Sequence, residues 1–263
     1  MDKDLKLLVV DDDPDIRFAT VRVLRTAGYE VEEAETGEQC LDIVRNKMPD
    51  LVLLDVILPD LDGYTLCRYI KEDKTVNTYV LLISGKKTTA EDHSLGLEIG
   101  ADGYLKRPIS NRELLAWVQA MVRIIRAEKK LQASEETYRN LFQNAQVGLF
   151  RSRIEDGTIL ESNEQLAKMF GYENKQDILS DNFFSKHYVY PETRERMLKA
   201  IKENGEIQNF EAKFYRKDGN IFWALFSAQF YPEQGWIEGV AEDITHLKQT
   251  QEKLIQAKED AKA

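Results

Sequence analysis

The sequence predicts two folded units in tandem. The first is an α/β doubly wound unit with a five-stranded parallel sheet, the second an α+β unit with an antiparallel sheet, and a long helix joins them. Three observations predict this. Short apolar runs alternate with helical periodicity through the first half. No Gly or Pro interrupts the chain between Asn111 and Gly148. Strand and hairpin signals dominate after Gly148. A length of 263 residues is comfortable for two domains, and a hydrophobic content of 43% supplies cores for both.

The first half is organised around residues 49–63, PDLVLLDVILPDLDG. Leu51 to Leu54 is an unbroken apolar run, the pattern of a strand buried on both faces of a parallel sheet. Asp55 follows it and emerges at the carboxyl edge, where open α/β sheets bind ligands. Pro59, Asp60, Asp62 and Gly63 end the strand and open a loop. The run at 5–10 reads as the first strand, with Asp11, Asp12 and Asp13 directly after it. Asp13 has a structural task as N-cap, because Pro14 suits the first position of a helix. Asp11 and Asp12 are left over at the strand end.

The alternation continues with a helix over 16–27 that ends at Gly28, a strand over 29–34 and a helix over 37–47. After the 51–54 strand come a helix over 64–73, a strand over 79–83, a helix over 90–99, a short strand over 103–105 and a long helix from 111. If the strand order reverses beside the first strand, Asp11, Asp12 and Asp55 converge on one crevice. Carboxylates crowded together repel and raise one another's pKa. A hard divalent cation such as Mg²⁺ removes that repulsion and neutralises an incoming phosphoryl group. The residues therefore predict an acidic pocket that binds Mg²⁺ and takes a phosphoryl group on Asp.

Residues 3 to about 125 resemble the receiver domain of two-component response regulators. The resemblance rests on Asp11/Asp12, the D-x-x-x-P of Asp55 and Pro59, Ser84 after an apolar strand, and G-Y-L-K-R-P at 103–108. It implies that Asp55 is the phosphoacceptor. Asp12, Asp55 and the backbone carbonyl of Ile57 would bind Mg²⁺, with Asp11 acting through water. The Ser84 hydroxyl would contact the phosphoryl oxygens, and Tyr104 would be the aromatic that moves inward with it. An upstream histidine kinase or phosphotransfer protein is the implied partner. The chain departs from the family at Arg107, which stands before Pro108 where the family has Lys, with Lys106 just before it. The Arg107–Pro108 bond is expected to be cis by the same resemblance. A haloacid-dehalogenase-type phosphatase would need a second Asp where Ile57 stands. A flavodoxin-like protein would need a phosphate loop where Asp11–Asp13 stand.

Leu114, Trp117, Met121, Ile124, Leu131, Tyr138 and Phe142 recur at three/four spacing through the connecting helix. The first turns must pack on the sheet. Beyond about Arg126 the apolar stripe needs a partner, and a second copy of the chain is the simplest one, which predicts a homodimer.

In the second half, Asp156-Gly157 is a hairpin signal between strands at 149–153 and 158–161. Helices are expected over 163–170 and 191–202, followed by an antiparallel meander of strands at 207–216, 221–231 and 237–243. This half, roughly 135–245, resembles a PAS sensor domain. The resemblance rests on G-L-F at 148–150, N-E-Q-L at 163–166, F-G-Y at 170–172, K-D-G at 217–219 and E-D-I-T at 242–245. It implies an antiparallel sheet with small helices enclosing a possible cavity. No ligand is readable here. The absence of Cys from this half excludes a flavin–cysteine adduct, and His187 and His246 are its only histidines. A purely structural core is the expectation. On the 221–231 strand, Phe222, Phe226 and Phe230 share one face. Trp223 and Leu225 on the other need a cover, expected from the connecting helix or a second subunit.

The formal net charge of −10 argues against nucleic acid and anionic membranes as partners. Cys40 and Cys67 form no disulfide framework or metal set, and a reducing compartment is expected. No signal peptide or membrane-length apolar run is read, which predicts a cytoplasmic protein. The expected organisation is a receiver at 1–125, a coiled-coil-like linker at 126–145, a PAS domain at 146–246 and a helix at 247–263. In the family such a last helix feeds an output domain. No kinase, cyclase, hydrolase or DNA-binding motif is read. Two alternatives to a receiver–PAS phosphorelay protein stay open: the input part of a hybrid histidine kinase, and an interaction adaptor that is not phosphorylated.

Overall fold

The structure, a computed structural model, describes residues 5–85, 98–179 and 183–260. The chain divides into two compact units, Met1–Ala133 and Ser134–Ala263. The first begins with β1 (Lys6–Val10), α1 (Pro14–Thr26), β2 (Glu30–Ala34), α2 (Gly37–Lys47) and β3 (Leu51–Asp55). It continues with α3 (Gly63–Glu72), β4 (Tyr79–Ser84), β5 (Gly103–Lys106) and the first part of α4 (Asn111–Asn144). The strands form one parallel sheet in the order β2-β1-β3-β4-β5. The order therefore reverses beside β1, which brings β1 and β3 together. All five residues of β3 are buried. Alternate side chains feed two cores, Leu7, Val9 and Leu53 on one face and Leu8, Val10 and Leu54 on the other.

Local sequence sets the ends of these elements. The Asp13 carboxylate accepts from the backbone N–H groups of Asp15 and Ile16 and so caps α1. Asp62 caps α3 through the Thr65 N–H. The helix expected over 90–99 lies outside the described residues over most of its length.

α4 is one continuous helix of 34 residues. Its apolar residues divide into two stripes rather than the single stripe expected. Leu114 and Met121, with Val118, Val122 and Ile125, are buried against the sheet. Trp117, Ile124, Leu131 and Tyr138 lie on a neighbouring face and are exposed. A helix of 3.6 residues per turn cannot hold all seven positions on one line.

The second unit comprises β6 (Gly148–Arg153), β7 (Ile159–Ser162), α5 (Glu164–Met169), a 3₁₀ turn (Lys175–Ile178), α6 (Phe183–His187) and α7 (Pro191–Asn204). β8 (Glu206–Tyr215), β9 (Ile221–Tyr231), β10 (Trp236–Asp243) and α8 (Thr245–Asp260) complete it. Its five strands are antiparallel, in the order β7-β6-β10-β9-β8. Asn163 is fully buried: its Oδ1 accepts from the N–H groups of Leu149 and Leu166, and its Nδ2 donates to the Val147 carbonyl. One side chain thereby caps α5 and fastens it to β6. The interior is filled by aromatic rings. Phe170 alone meets Phe183, Phe184, Phe214 and Phe222 at centroid distances of 5.1–5.9 Å. The free space left among them is about 30 Å³, room on the order of a single water molecule.

His187 belongs to this aromatic cluster. Its ring stacks on Phe183 at 4.2 Å, its Nδ1 lies 2.7 Å from the Phe183 carbonyl oxygen, and its Nε2 lies 3.2 Å from the Tyr172 hydroxyl. Both ring nitrogens are therefore engaged by the fold. His246 is exposed on α8. On the outer face of β9, the Trp223 ring is flanked by Lys213 Nζ at 4.8 Å and by Lys248 Nζ, from α8, at 5.2 Å. The unit itself thus supplies cover for Trp223, through cationic side chains.

Candidate functional site

The β1–β3 pairing sets Val10 level with Leu54, so Asp11 and Asp55 leave the sheet side by side at its carboxyl edge. Both are buried, at 1% and 8% exposure. Arg107, just past β5, reaches across to them. Its Nη2 lies 2.5 Å from Asp11 Oδ2 and its Nη1 3.1 Å from Asp55 Oδ1. Its backbone N–H donates to the Ser84 carbonyl at 2.8 Å, which ties the segment after β5 to the end of β4. The Arg107–Pro108 peptide is cis.

One guanidinium between two buried carboxylates leaves the pocket short of positive charge. The Asp55 carboxyl is pushed up to about 6, first by burial and further by Asp11 and Asp12. The Ile57 N–H, which donates to Asp55 Oδ2 at 3.0 Å, and Arg107 oppose that rise. Asp12 is exposed beside the pocket, and Ile57 is 43% exposed. Ser84 is buried at the end of β4. Tyr104 is buried on β5, already inward, with its hydroxyl 3.5 Å from that of Tyr64. Asp11, Asp55, Arg107 and Ser84 are thus brought to one edge of the sheet, with Asp12 and Ile57 at its solvent side.

Two further residues shape the pocket. The buried Arg17 donates from Nη1 to the Asp11 carbonyl at 2.6 Å and from Nη2 to Glu35 at 2.8 Å, and so braces the end of β1. In the sequence the only signal for it is an Arg one turn into α1, where an apolar residue would face the sheet. Gly63 donates its N–H to the Val56 carbonyl at 2.9 Å, and a Cβ built there would lie 2.4 Å from the Asp55 carbonyl oxygen. Only glycine permits that approach.

The carboxylates of Asp11, Asp12 and Asp55 and the Ile57 carbonyl offer oxygen donors only, the class that Mg²⁺ takes. Burial together with surplus negative charge makes the pocket one that a hard cation would stabilise. Among the described residues, no three His, Cys, Asp or Glu side chains are already gathered as a metal cluster. One oxygen of Asp11 and one of Asp55 are turned to Arg107, and the other oxygen of each accepts a backbone N–H, from Asp13 and Ile57. The donor set fits the ion, and Arg107 holds part of it.

Residues 7–119 match the family model described as response regulator receiver domain, and residues 147–246 match a PAS domain model. Over 124 residues the chain is 42% identical to "Probable transcriptional regulator ycf27" of Porphyra purpurea, covering 47% of this chain and 49% of that protein. It is 39% identical over 119 residues to "Response regulator MprA" of Mycobacterium sp. (strain KMS), covering 45% of this chain and 51% of that protein. The chain spans about half the length of these curated relatives. Among solved structures, it is similar to a CheY-like response regulator receiver domain protein from Methanospirillum hungatei JF-1. The identity is 30% and the TM-score 0.45, over 47% of this chain and 98% of that one. No helix among the described residues is long and apolar enough to cross a membrane.

Proposed function

We propose that this chain, a response regulator receiver domain followed by a PAS domain, accepts a phosphoryl group on Asp55 in a two-component phosphorelay. The observation that carries the reading is the convergence of buried Asp11 and Asp55 on Arg107 at the β1–β3 edge. With its carboxyl pushed up only to about 6, Asp55 is mostly ionised at neutral pH and is a competent nucleophile. An Asp55 oxygen attacks the phosphorus, and the bond from phosphorus to the donor breaks with its electron pair leaving on the donor. A Mg²⁺ ion held by Asp12, Asp55 and the Ile57 carbonyl, with Asp11 through water, would neutralise charge on the transferring group. Arg107 presents two donors to the phosphoryl oxygens, and the Ser84 hydroxyl a third.

In this reading the donor is an upstream histidine kinase or phosphotransfer protein. The added charge biases a two-state element at Ser84 and Tyr104. The receiver occupies 1–125, the helical linker 126–145 and the PAS domain 146–246, with 247–263 leading toward an output domain. The protein works in the cytoplasm as a homodimer, without nucleic acid or membrane as a direct partner. The test is intact-mass measurement after incubation with acetyl phosphate and Mg²⁺. The reading expects a gain of one phosphoryl group that chelation of Mg²⁺ prevents. An unchanged mass would favour an adaptor that is not phosphorylated.

A further inference from the structure

Of the oxygens that the proposed function gives to Mg²⁺, the Ile57 carbonyl is the one aimed by backbone alone. Its direction is set by the segment between β3 and α3. At the start of that segment the Ile57 N–H donates to Asp55 Oδ2 at 3.0 Å, and at its end the Gly63 N–H donates to the Val56 carbonyl at 2.9 Å. Between them stands Asp60. Its Oδ1 accepts from the Gly37 N–H at 2.9 Å and its Oδ2 from the Glu38 N–H at 3.0 Å, both in the first turn of α2.

This tie is more than a cap for α2. The helix already has one, since Thr36 Oγ1 accepts from the Gln39 N–H at 3.2 Å. The Gly37 and Glu38 N–H groups hold the exposed Asp60 carboxyl below its ordinary value of 3.8, as befits an anion at the positive end of a helix. Packing brings the same parts together. Leu58 and Leu61 share a core with Cys40 and Val44 of α2, and a Cβ built on Gly37 would lie 2.9 Å from Leu61 Cβ.

The chain from Asp60 back to the Ile57 carbonyl is stiff. The bond from the Ile57 N–H fixes the peptide plane before Ile57, but its carbonyl belongs to the next plane. Pro59 locks its own φ and disfavours helical backbone at Leu58. Few free torsions remain between the Asp60 anchor and the Ile57 carbonyl, so holding the one holds the other.

We infer that Asp60 is a positioning residue for the metal: clamped to the first turn of α2, it fixes the direction of the Ile57 carbonyl. Both of its oxygens accept from α2, so it acts through the loop and not as a ligand. This rests on the metal set of the proposed function.

Isothermal titration of the full chain with Mg²⁺, read beside the thermal midpoint, tests it. Asp60→Ala and Thr36→Ala each remove one tie at the start of α2, and neither residue is buried. Asp60→Ala should weaken Mg²⁺ binding about tenfold, the loss typical of an outer-shell partner. Thr36→Ala should lower the thermal midpoint but leave Mg²⁺ affinity within about twofold of the wild type, because the loop stays tied. Wild-type affinity in Asp60→Ala would overturn the inference and leave Asp60 as a cap alone. An equal loss of affinity in both variants would also overturn it, since the start of α2 and not the loop would then be the cause. A wild type that binds no Mg²⁺ would overturn the metal site of the proposed function, and this role with it.

Discussion

Arg107 bridges Asp11 and Asp55, with one nitrogen of its guanidinium on each carboxylate, at 2.5 and 3.1 Å. A lysine has a single ammonium on a flexible stem and cannot span the two in the same planar fashion. The bridge has a consequence for the metal, because Arg107 holds oxygens that a divalent cation would need. Arg107→Lys should therefore bind Mg²⁺ more tightly, by about threefold or more, in isothermal titration at fixed ionic strength. Arg107→Ala should lower metal-free stability, since it leaves two buried carboxylates unpaired, and should show a larger thermal stabilisation by Mg²⁺ than the wild type. Equal or weaker Mg²⁺ binding by both variants would mean that Arg107 does not compete for the site.

Ile57 stands two residues after Asp55, donates its N–H to Asp55 Oδ2 and is 43% exposed. Its side chain offers neither donor nor acceptor to a water approaching an aspartyl phosphate in line, and its branched bulk obstructs the path. Ile57→Asn should speed loss of the phosphoryl group, read by intact mass as decay after the donor is removed. Decay no faster than that of the wild type would sink the shielding argument.

The expected geometry of the acidic edge was legible because it follows from strand order. An unbroken apolar run followed by Asp, twice, puts two carboxylates at one sheet edge once β1 and β3 are neighbours. The Asp13 cap and the hairpin at Asp156-Gly157 were legible for local reasons. The bridging by Arg107 was not, because it joins residues 96 and 52 positions apart through side-chain reach alone. The brace from Arg17 to the Asp11 carbonyl is similar, since a buried Arg on an apolar helix face has no periodic signature. Three/four spacing does not separate two adjacent faces of a long helix, so α4 shows a single apolar stripe in the sequence. Burial against one sheet separates them.

Gly63 gives a stability prediction. A methyl group at this position would meet the Asp55 carbonyl oxygen at 2.4 Å and the Val56 Cα at 2.7 Å, both backbone atoms that cannot turn aside. Gly63→Ala should destabilise the receiver unit by about 2 kcal/mol or more, seen as a fall in Tm of roughly 4 °C or more. It should also reduce labelling, because relief of the clash displaces the strand end that carries Asp55. An unchanged Tm would show that the β3–α3 loop has room that the structure does not record.

His187 gives a pH prediction for the PAS unit. Burial holds its imidazole below the ordinary value of 6.5, and Lys186 adds to this, while the Phe183 carbonyl opposes it. The neutral ring is the form the fold prefers, with Nδ1–H donated to Phe183 and Nε2 accepting from the Tyr172 hydroxyl. A base whose pKa is depressed on folding contributes stability that is fully present above pH 6.5 and is lost as pH falls through the folded value. The thermal midpoint of the PAS unit should therefore drop on acidification below that point, and His187→Phe should flatten the dependence. A variant as pH-sensitive as the wild type would place the titration at another group.

The central claim is that Asp55 itself takes the phosphoryl group. It is tested most directly by mapping the acyl phosphate. The full chain is labelled with acetyl phosphate and Mg²⁺, reduced with borohydride, which converts a phosphorylated aspartate to homoserine, and digested for peptide mass spectrometry. The account predicts homoserine at Asp55 in the wild type and at no residue in Asp55→Asn. Homoserine at Asp11 or Asp12 in the wild type, or an unmodified Asp55 in protein that has gained the phosphoryl mass, would contradict it.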